Sequence, residues 1–264
     1  MGIVNLTPDS FSGDGLGVDV ARAVAHARQQ IDAGADLLDL GAESSRPGAI
    51  PASLDEELAR LLPVLDALKH CGVPISVDTY KPEVMRAALE AGASMINDIY
   101  GFRWPGAIEA VRESGCALCV MHMQGEPLTM QQQPHYDDVV GEVAQFLMQR
   151  AAALETAGVV PDRVVIDPGF GFGKTLDHNL QMMADLRTFT DNGLPLLVGV
   201  SRKSMLGALT GRTVDQRTAA SVAAALLAVD AGARIVRVHD VAATRDALLV
   251  WSAVQAKRSA TLVS

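Results

Sequence analysis

The stretch Val165-Ile166-Asp167-Pro168-Gly169-Phe170-Gly171-Phe172-Gly173-Lys174 decides how the rest of this chain is interpreted. It begins with an apolar run that ends at a carboxylate, and a loop with alternating glycines follows. A continuous apolar run is typical of a strand that is buried on both faces. Closely spaced glycines permit turns that other residues disfavour. The stretch therefore predicts an acid at the carboxyl end of a buried strand, under a loop whose backbone can approach a ligand.

The same alternation of a short apolar strand, a loop and an alanine-rich helix runs through the whole sequence. The predicted strands span residues 1–6, 36–40, 74–77, 94–96, 117–121, 163–166, 196–200 and 235–238. The predicted helices span residues 19–33, 53–70, 82–91, 105–114, 137–157, 177–190, 213–231 and 241–256. Several helices end at a glycine suited to a left-handed C-cap, namely Gly34, Gly92, Gly158 and Gly232.

Repeated strand–helix units of this number predict a TIM (β/α)8 barrel, formed as a single domain by residues 1–264. The alternative is an open, doubly wound sheet. No Gly-x-Gly-x-x-Gly follows the first strand, however, and no linker marks a second domain. The α/β barrel is therefore the expected fold.

Charge, hydropathy and cysteine content indicate which surfaces and which compartment this protein is expected to occupy. A formal net charge of -9 without a basic run argues against a nucleic-acid or membrane surface. The start of the chain lacks the features of a signal peptide, and no apolar run is long enough to span a bilayer, so a cytoplasmic protein is expected. Cys116 and Cys119 lie three apart on a predicted strand and face opposite sides, so we expect buried thiols rather than a bridge or metal site.

Almost every predicted strand ends in a polar group. Taken singly, each has an ordinary explanation: His122 is expected to be packed and hydrogen-bonded, Ser201 to cap a helix, and Lys174 and Arg46 to be solvated. The carboxyl ends of barrel strands meet at one face, where active sites lie. The polar groups at these ends are Asn5, Asp39, Asp78, Asn97, His122, Asp167, Ser201 to Ser204, Arg237 and His239. Together they predict a shared site.

Two chemistries are expected within this site. Carboxylates and amides with one cation suit a flat heterocycle edged with N–H, amino and carbonyl groups; the residues of this kind are Asp78, Asn97, Asp167 and Lys203. Asn5, Arg237 and His239 suit an anion, because arginine forks onto phosphate and histidine can donate or accept. A helix start near Ser204 would add backbone N–H groups for a second anion.

The chain resembles the dihydropteroate synthases, enzymes of folate synthesis, nearly from end to end. The motifs that carry the resemblance are residues 1–12, Glu43-Ser44-Ser45-Arg46-Pro47-Gly48, Ser76-Val77-Asp78-Thr79, Ile96-Asn97-Asp98-Ile99, Met121-His122-Met123-Gln124-Gly125, residues 167–174, Ser201-Arg202-Lys203-Ser204 and Arg237-Val238-His239-Asp240. Members of the family usually carry residues before the first motif, so the native start is expected to be longer.

The resemblance implies a transferase that joins hydroxymethyl-dihydropterin diphosphate to 4-aminobenzoate and releases diphosphate, with Mg²⁺ as cofactor. The pterin would contact Asp78, Asn97, Met121, Asp167, Lys203 and Arg237. The diphosphate would contact Asn5, Ser45, Arg237 and His239, and Asn5 would also bind the metal. The aminobenzoate would contact Phe11, Arg46, Pro47, Phe172, Lys203 and Ser204. The catalytic residues would be Asp78, Lys203 and Arg237. The family also implies a homodimer formed through helices near the carboxyl end.

Other functions remain open at this point. A pterin-binding methyltransferase that passes a folate methyl group to a corrinoid would share the pterin carboxylates, but it would not need the residues 201–204 motif or Arg237 with His239. A Schiff-base aldolase would use Lys203. A pterin-binding protein without turnover is the third alternative, and the presence of Asn5, Lys203, Arg237 and His239 argues against it. The expected partners in every case are small molecules rather than nucleic acid or membrane.

Overall fold

A computed structural model describes residues 1–7, 19–44 and 48–261, which form a barrel of parallel strands surrounded by helices. The strands are β1 (Gly2–Asn5), β2 (Leu38–Gly41), β3 (Ile75–Asp78), β4 (Met95–Asp98), β5 (Ala117–Met121), β6 (Val164–Asp167), β7 (Leu197–Val198) and β8 (Ile235–Val236). Strands β1 to β6 form one parallel sheet in sequence order, and β7 pairs with β8. This order confirms the predicted alternation.

Two seams close the sheet into a ring. Ile166 bridges Leu196 between β6 and the start of β7. Gly2 bridges Val238, and the Ile3 amide donates to the Val238 carbonyl at 3.0 Å. The first and last strands are therefore neighbours, which an open doubly wound sheet does not allow, and the TIM-barrel prediction is confirmed.

The helices are α1 (Val20–Asp32), α2 (Leu54–Leu68), α3 (Pro82–Glu90), α4 (Ala107–Val111), α5 (Val139–Thr156), α6 (Leu176–Ala184), α7 (Arg187–Thr190), α8 (Ser204–Thr210), α9 (Thr218–Asp230) and α10 (Val241–Thr261). The prediction of one helix over 177–190 is wrong, because the chain forms two helices there. The prediction over 213–231 began too early, because Val214–Gln216 is a separate 3-10 turn. The glycines expected at helix ends have the predicted left-handed backbone, from Gly34 (φ 94°) to Gly232 (φ 108°).

Side chains alternate between the barrel lumen and the helical layer, as the period of a strand requires. The lumen is filled by Met95, Cys119, Val165 and Leu197, which pack together as one buried cluster. Their strand neighbours, such as Ile96 and Ile166, belong to the larger core under the helices. Because the lumen is packed with apolar side chains at this level, polar side chains collect one step further along, at the carboxyl ends of the strands.

The cysteines and the helices agree with two further expectations. Cys116 and Cys119 are free and buried, as predicted. Cys116, directly before β5, packs in the core under the helices, whereas Cys119, within β5, packs in the lumen. None of the helices in the described ranges is both long enough and apolar enough to cross a membrane.

Candidate active site

One cavity lies at the carboxyl ends of the strands and encloses about 470 Å³, part of it open to solvent. The lining residues are Ile3, Asp78, Asn97, Ile99, Met121, Asp167, Gly169, Phe170, Phe172, Gly199, Ser201, Lys203, Arg237 and His239. The four residues expected to hold a flat heterocycle, Asp78, Asn97, Asp167 and Lys203, therefore share one cavity.

Strand register explains part of this convergence. Asn5 pairs with Gly41, Gly41 with Asp78, and Asp78 with Asn97, so these residues form one row across four strands. Gly41 leaves a gap in the row, where an added Cβ would lie 3.8 Å from Asp78 Oδ2 and 3.9 Å from Asn5 Oδ1. Residues that are far apart in sequence thus stand side by side because parallel strands align their ends.

Arg237 lies between two carboxylates in this cavity. Its Nε donates to Asp39 Oδ2 at 2.6 Å, and its Nη2 donates to Asp78 Oδ2 at 3.2 Å. Asp39 is completely buried. It lies two residues before Gly41 on β2, so it points to the same side of the strand as the polar row but deeper in the barrel. The sequence placed Asp39 at a strand end but gave it no role. The structure makes it the principal partner of Arg237.

Burial is the largest single influence on the pKa values of Asp78 and Arg237. It raises the pKa of Asp78 to about 7, although Arg237 opposes the shift. For Arg237, burial alone would lower the pKa. The nearby carboxylates of Asp39 and Asp78 have the larger combined effect, so the pKa of Arg237 is raised. The arginine therefore stays charged at neutral pH, whereas Asp78 is poised between its acid and its carboxylate.

Asp167 ends β6 and is held by the glycine loop that follows it. Its Oδ1 accepts a hydrogen bond from the Gly169 amide at 2.7 Å. Burial raises the pKa of Asp167, and this amide and the charge of Lys203 partly offset the rise. Across the cavity, Asn97 is 4% exposed, and its Oδ1 has no hydrogen-bond partner among the described residues. A buried acceptor of this kind is costly unless a ligand or water donates to it.

Lys203 reaches the same loop from the opposite side. Its Nζ donates to the Phe170 carbonyl at 2.7 Å and lies 4.1 Å from the centre of the Phe172 ring. Burial lowers the pKa of Lys203 to about 8, against the pull of Asp167. The lysine is thus a cation that gives up its proton more readily than a surface lysine does.

Lys174 is buried beneath this loop, with 3% of its surface exposed, so the expectation that it is solvated is wrong. Its Nζ donates to the Gly169 carbonyl at 3.0 Å and to the Phe172 carbonyl at 3.0 Å, and it shares a hydrogen bond of 2.9 Å with His122 Nδ1. His122 is buried and hydrogen-bonded, as predicted. Its pKa is lowered to about 2, mainly by burial, so its ring is neutral.

Ser201 does not cap a helix, contrary to the sequence prediction. Helix α8 begins at Ser204, with Lys203 as its N-cap. Ser201 Oγ instead accepts a hydrogen bond from the His239 amide at 3.1 Å and lies 3.0 Å from His239 Nδ1. Arg202 then pairs with Asp240 through two contacts, at 3.0 and 2.6 Å. These contacts fasten the loop after β7 to the end of β8.

Some predicted site residues are not among those that line the cavity. Asn5 stands at the end of β1 in the polar row, and Ser204 is exposed at the start of α8. Phe11, Ser45, Arg46 and Pro47 lie outside the described residues. The segment that contains three of them is flanked by Glu43 and Ala52. Glu43 accepts from the Ala52 amide at 3.2 Å and also pairs with Lys81.

The described ranges contain no group of three or more His, Cys, Asp or Glu side chains arranged to hold a metal ion. Asn5 offers one amide oxygen beside Asp78. Mg²⁺ commonly keeps several waters and is bound by one or two protein oxygens together with substrate phosphates. The residues present therefore fit a Mg²⁺ ion brought in with a phosphorylated ligand, rather than one in a site made only of protein groups.

The charges in the cavity define what it can bind. The lining includes two cations, Arg237 and Lys203: Arg237 is paired with carboxylates, whereas Lys203 Nζ donates to a backbone carbonyl and stays near the open cavity. Asp167 and Asn97 offer acceptors on one side, and an apolar wall that includes Met121, Ile99 and Phe172 lies beside them. This combination suits a flat, hydrogen-bonding ring that carries an anionic group.

Comparison with known proteins agrees with this site. Residues 1–239 match the family described as pterin binding enzymes. Dihydropteroate synthase of Neisseria meningitidis serogroup C is 52% identical over 259 residues, which cover 96% of this chain and 92% of the relative.

Two solved structures of relatives are also similar. Dihydropteroate synthase of Xanthomonas albilineans with 4-aminobenzoic acid has a TM-score of 0.92 at 53% identity, covering 97% of this chain and 92% of that one. The Burkholderia cenocepacia enzyme complexed with 7,8-dihydropteroate has a TM-score of 0.90 at 55% identity, covering 98% and 92%. Likeness of this extent, over a cavity with this set of residues, shows that the chain belongs to the dihydropteroate synthase family of pterin-binding enzymes.

Proposed function

We propose that this chain condenses 6-hydroxymethyl-7,8-dihydropterin diphosphate with 4-aminobenzoate to give 7,8-dihydropteroate and diphosphate. The observation that carries the proposal is the shared cavity, in which Asp78, Asn97, Asp167, Lys203 and Arg237 face one another. The relatives at about half identity are transferases of this kind, and one was solved with 4-aminobenzoic acid and another with dihydropteroate.

The pterin is assigned to the side of the cavity that offers acceptors. A buried carboxylate gains two charge-assisted bonds from a guanidine-like N–H pair, which suits Asp167 at the carboxyl end of β6. Asn97 Oδ1 is an unpaired acceptor for a further ring N–H. Lys203 would donate to a ring carbonyl or nitrogen, while Met121 packs against the ring and Arg237 stacks on its face.

The diphosphate is assigned to Arg237 and His239, which line the cavity, together with Asn5 at the carboxyl end of β1. Arginine and histidine supply donors to phosphate oxygens, and Ser45 would add a hydroxyl. Asn5 would hold the Mg²⁺ together with those oxygens, and a bound Mg²⁺ neutralises charge that develops on the leaving group. Ser201 orients His239 through its contact with Nδ1.

The 4-aminobenzoate is assigned to the outer end of the cavity. Phe172 and the stem of Lys203 would wall its ring, and Ser204 would donate to its carboxylate. Phe11, Arg46 and Pro47 would complete the pocket. The Lys203 ammonium over the Phe172 ring, at 4.1 Å, gives this end of the cavity a positive charge that attracts a carboxylate.

In the proposed mechanism the C–O bond between the pterin methylene and the diphosphate breaks first. Arg237 stabilises the departing anion, and the electron-rich pterin carries the methylene cation. Asp78 in its carboxylate form stabilises that cation electrostatically. The aromatic amine then forms the C–N bond and loses a proton. No covalent bond to the enzyme is required.

The test is release of diphosphate when both substrates are supplied with Mg²⁺, measured beside formation of dihydropteroate. Diphosphate release that needs 4-aminobenzoate supports the proposal, and its absence rejects it. Asp78→Asn should lower turnover by about 10²-fold or more, as loss of an electrostatic stabiliser does. Nearly unchanged turnover in that variant would remove Asp78 from the chemical step.

The alternatives give different results in the same preparation. A corrinoid methyltransferase would consume methyltetrahydrofolate, and an aldolase would be trapped on Lys203 by borohydride with a carbonyl substrate. A binding protein without turnover would take up the pterin and release no diphosphate. We expect none of these three outcomes.

We also infer a homodimer. Helices α9 and α10 carry large apolar side chains that are more than two-fifths exposed: Leu227, Leu249, Val250 and Val254. The two helices pack on each other, so these side chains belong to one part of the surface near the carboxyl end. Apolar side chains concentrated in this way favour association with another protein surface.

A further inference from the structure

We propose that Lys174 is a positioning residue of the active site, which holds the 169–172 turn so that Asp167 and Lys203 face the ligand together. The inference rests on the proposed function for its choice of ligands. Lys174 itself does not line the cavity. It acts through the backbone of the loop that separates it from the site.

The first support is the number of contacts that Nζ makes in a buried place. Nζ donates to two carbonyls of the turn, each at 3.0 Å, and lies 2.9 Å from His122 Nδ1. Burial lowers the pKa of Lys174 well below that of a free lysine, and the three contacts suit both an ammonium, which donates all three, and a neutral amine, which donates two and accepts one. A buried lysine is costly unless its polar group is satisfied. The three contacts satisfy it, and two of them are with the turn.

The second support is the position of those two carbonyls. Gly169 and Phe172 are the ends of the turn, and the Phe172 amide also donates to the Gly169 carbonyl at 3.1 Å. Lys174 thus closes the turn by binding both of its ends. His122, at the end of β5, fixes the lysine to the barrel wall next to β6.

The third support is what the turn does on its other side. The Gly169 amide donates to Asp167 Oδ1, and the Phe170 carbonyl accepts from Lys203 Nζ at 2.7 Å. The Phe172 ring lies under the same ammonium. One buried amine therefore holds a turn that contacts both the carboxylate at the end of β6 and the lysine at the start of α8.

The same loop has a second tether that does not contact either functional group. Tyr136 OH donates to the Gly173 carbonyl at 2.9 Å. Tyr136 is also buried, 9% exposed, so Tyr136→Phe removes a hydrogen bond of similar burial from the next part of the loop. It is the matched control for a purely structural effect.

The experiment compares Lys174→Met and Tyr136→Phe with the unaltered protein. We measure kcat and KM for both substrates, calorimetric binding of 4-aminobenzoate in the presence of diphosphate and Mg²⁺, and the pKa of Lys203 by NMR of labelled lysine, assigned with Lys203→Met. Lys174→Met should lose about 10-fold or more in kcat/KM, and the pKa of Lys203 should rise toward that of a free lysine as the turn loosens. Tyr136→Phe should stay within about 3-fold, because it leaves the contacts of Asp167 and Lys203 with the turn in place, and rate losses of this kind come from misplaced reacting groups.

The outcomes separate the two proposals. If the unaltered protein releases no diphosphate, the proposed function fails, and the NMR comparison still tests Lys174. If it is active and Lys174→Met matches Tyr136→Phe in both kinetics and the Lys203 pKa, the positioning role is rejected. Should Lys174→Met not fold, Lys174→Gln keeps an amide donor for the turn, and the same comparison applies with a smaller expected loss.

Discussion

At the scale of single residues, Arg237 depends on two carboxylates that do different work. Asp39 is fully buried and takes the shorter bond, at 2.6 Å, whereas Asp78 is 13% exposed and takes the longer one, at 3.2 Å. Asp78 is therefore the partner that a substrate can engage. Asp39 holds the guanidinium in place and adds a negative charge that raises the pKa of Asp78.

This arrangement predicts the effect of Asp39→Asn. The raised pKa of Asp78, about 7, means that its carboxylate is lost as pH falls through neutrality, so activity should show an acidic limb there. Removing the charge of Asp39 lowers that pKa, and the limb should move to lower pH. The lost charged hydrogen bond should also cost about 1.5–3 kcal/mol of unfolding free energy.

The measurement is the pH dependence of kcat/KM beside urea unfolding. The control is Asp36→Asn, which removes a carboxylate that is 84% exposed and pairs with Arg245 at 3.5 Å. That variant should leave both the limb and the unfolding free energy near their original values. An acidic limb in Asp39→Asn that stays in place would contradict the assigned coupling.

A second prediction at this scale concerns the alkaline side of the profile. Burial favours the neutral amine of Lys203, so its proton leaves near pH 8 rather than near the usual value of a lysine. Because the proposed role needs the cation, kcat/KM for 4-aminobenzoate should fall as pH rises through about 8. The Lys203→Arg variant should be less active at every pH, but its activity should not fall as pH rises through this range, because the guanidinium keeps its charge. Wild-type activity that persists undiminished to pH 10, about the pKa of a free lysine, would contradict the assignment.

A place in the cavity was predictable for side chains at the end of a strand or in the loop that directly follows it. Asp78, Asn97 and Asp167 were predicted because a polar group after an apolar run is visible in the sequence. Asp39 precedes two further residues of β2, and only the register with Ser76 shows that it faces the lumen. Lys174 resembles any surface lysine until the fold brings His122 beside it.

At the scale of elements, the geometry of the loop after β6 explains why glycine is needed at positions 169 and 171. Gly169 has φ 69°, and a Cβ added there would overlap the carbonyl oxygen of His122. Gly171 has φ 78°, and a Cβ there would lie 3.3 Å from Lys203 Cδ. The sequence suggested that these glycines let the backbone approach a ligand. The structure adds that they let it approach β5 and the stem of Lys203.

Gly169→Ala tests this reading against Gly158→Ala. Both positions have positive φ, at 69° and 97°, but an added Cβ at Gly158 meets no atom within 4 Å. Gly158→Ala should therefore lose only the strain of a left-handed residue, about 1–2 kcal/mol. Gly169→Ala should lose more and should also weaken pterin binding at least about 10-fold, because the amide that holds Asp167 must move.

Chemical unfolding and calorimetric titration with the pterin diphosphate check the two parts separately. Equal loss of stability in the two variants would show that the contact with His122 relaxes freely. Normal pterin affinity in Gly169→Ala would show that the turn does not position Asp167.

Element boundaries were predicted best where a glycine or a capping residue marks them. Ser53 caps α2 with a reciprocal bond to Glu56, and Gly34 and Gly92 end their helices as expected. The prediction of a single helix over 177–190 failed at a break in the backbone that the local pattern does not mark. Residues 177–190 have continuous helical periodicity, yet Asp185 leaves the helical conformation at φ -113°, ψ 30°.

At the scale of the whole molecule, the barrel converts sequence distance into proximity. Asn5 and Arg237 lie near opposite ends of the chain, and the seam between β1 and β8 places their strands side by side. The periodic strands and helices were enough to predict closure. They could not predict which rows of side chains align, since register is fixed by the packing of the lumen rather than by any local signal.

The outer surface carries the last prediction, which concerns assembly. Leu227 on α9 is 62% exposed, and Val250 on α10 is 67% exposed. If these side chains form the interface between two copies of the chain, a charge placed at this surface must lose its water on association, which costs free energy.

Leu227→Glu should therefore convert a particle of twice 27.8 kDa into one of 27.8 kDa in light scattering at micromolar concentration. Val160→Glu is the control, because Val160 is 56% exposed but precedes β6 at the amino-terminal side of the barrel. An unaltered protein that is monomeric, or a Leu227→Glu variant that remains dimeric, would exclude this surface as the interface.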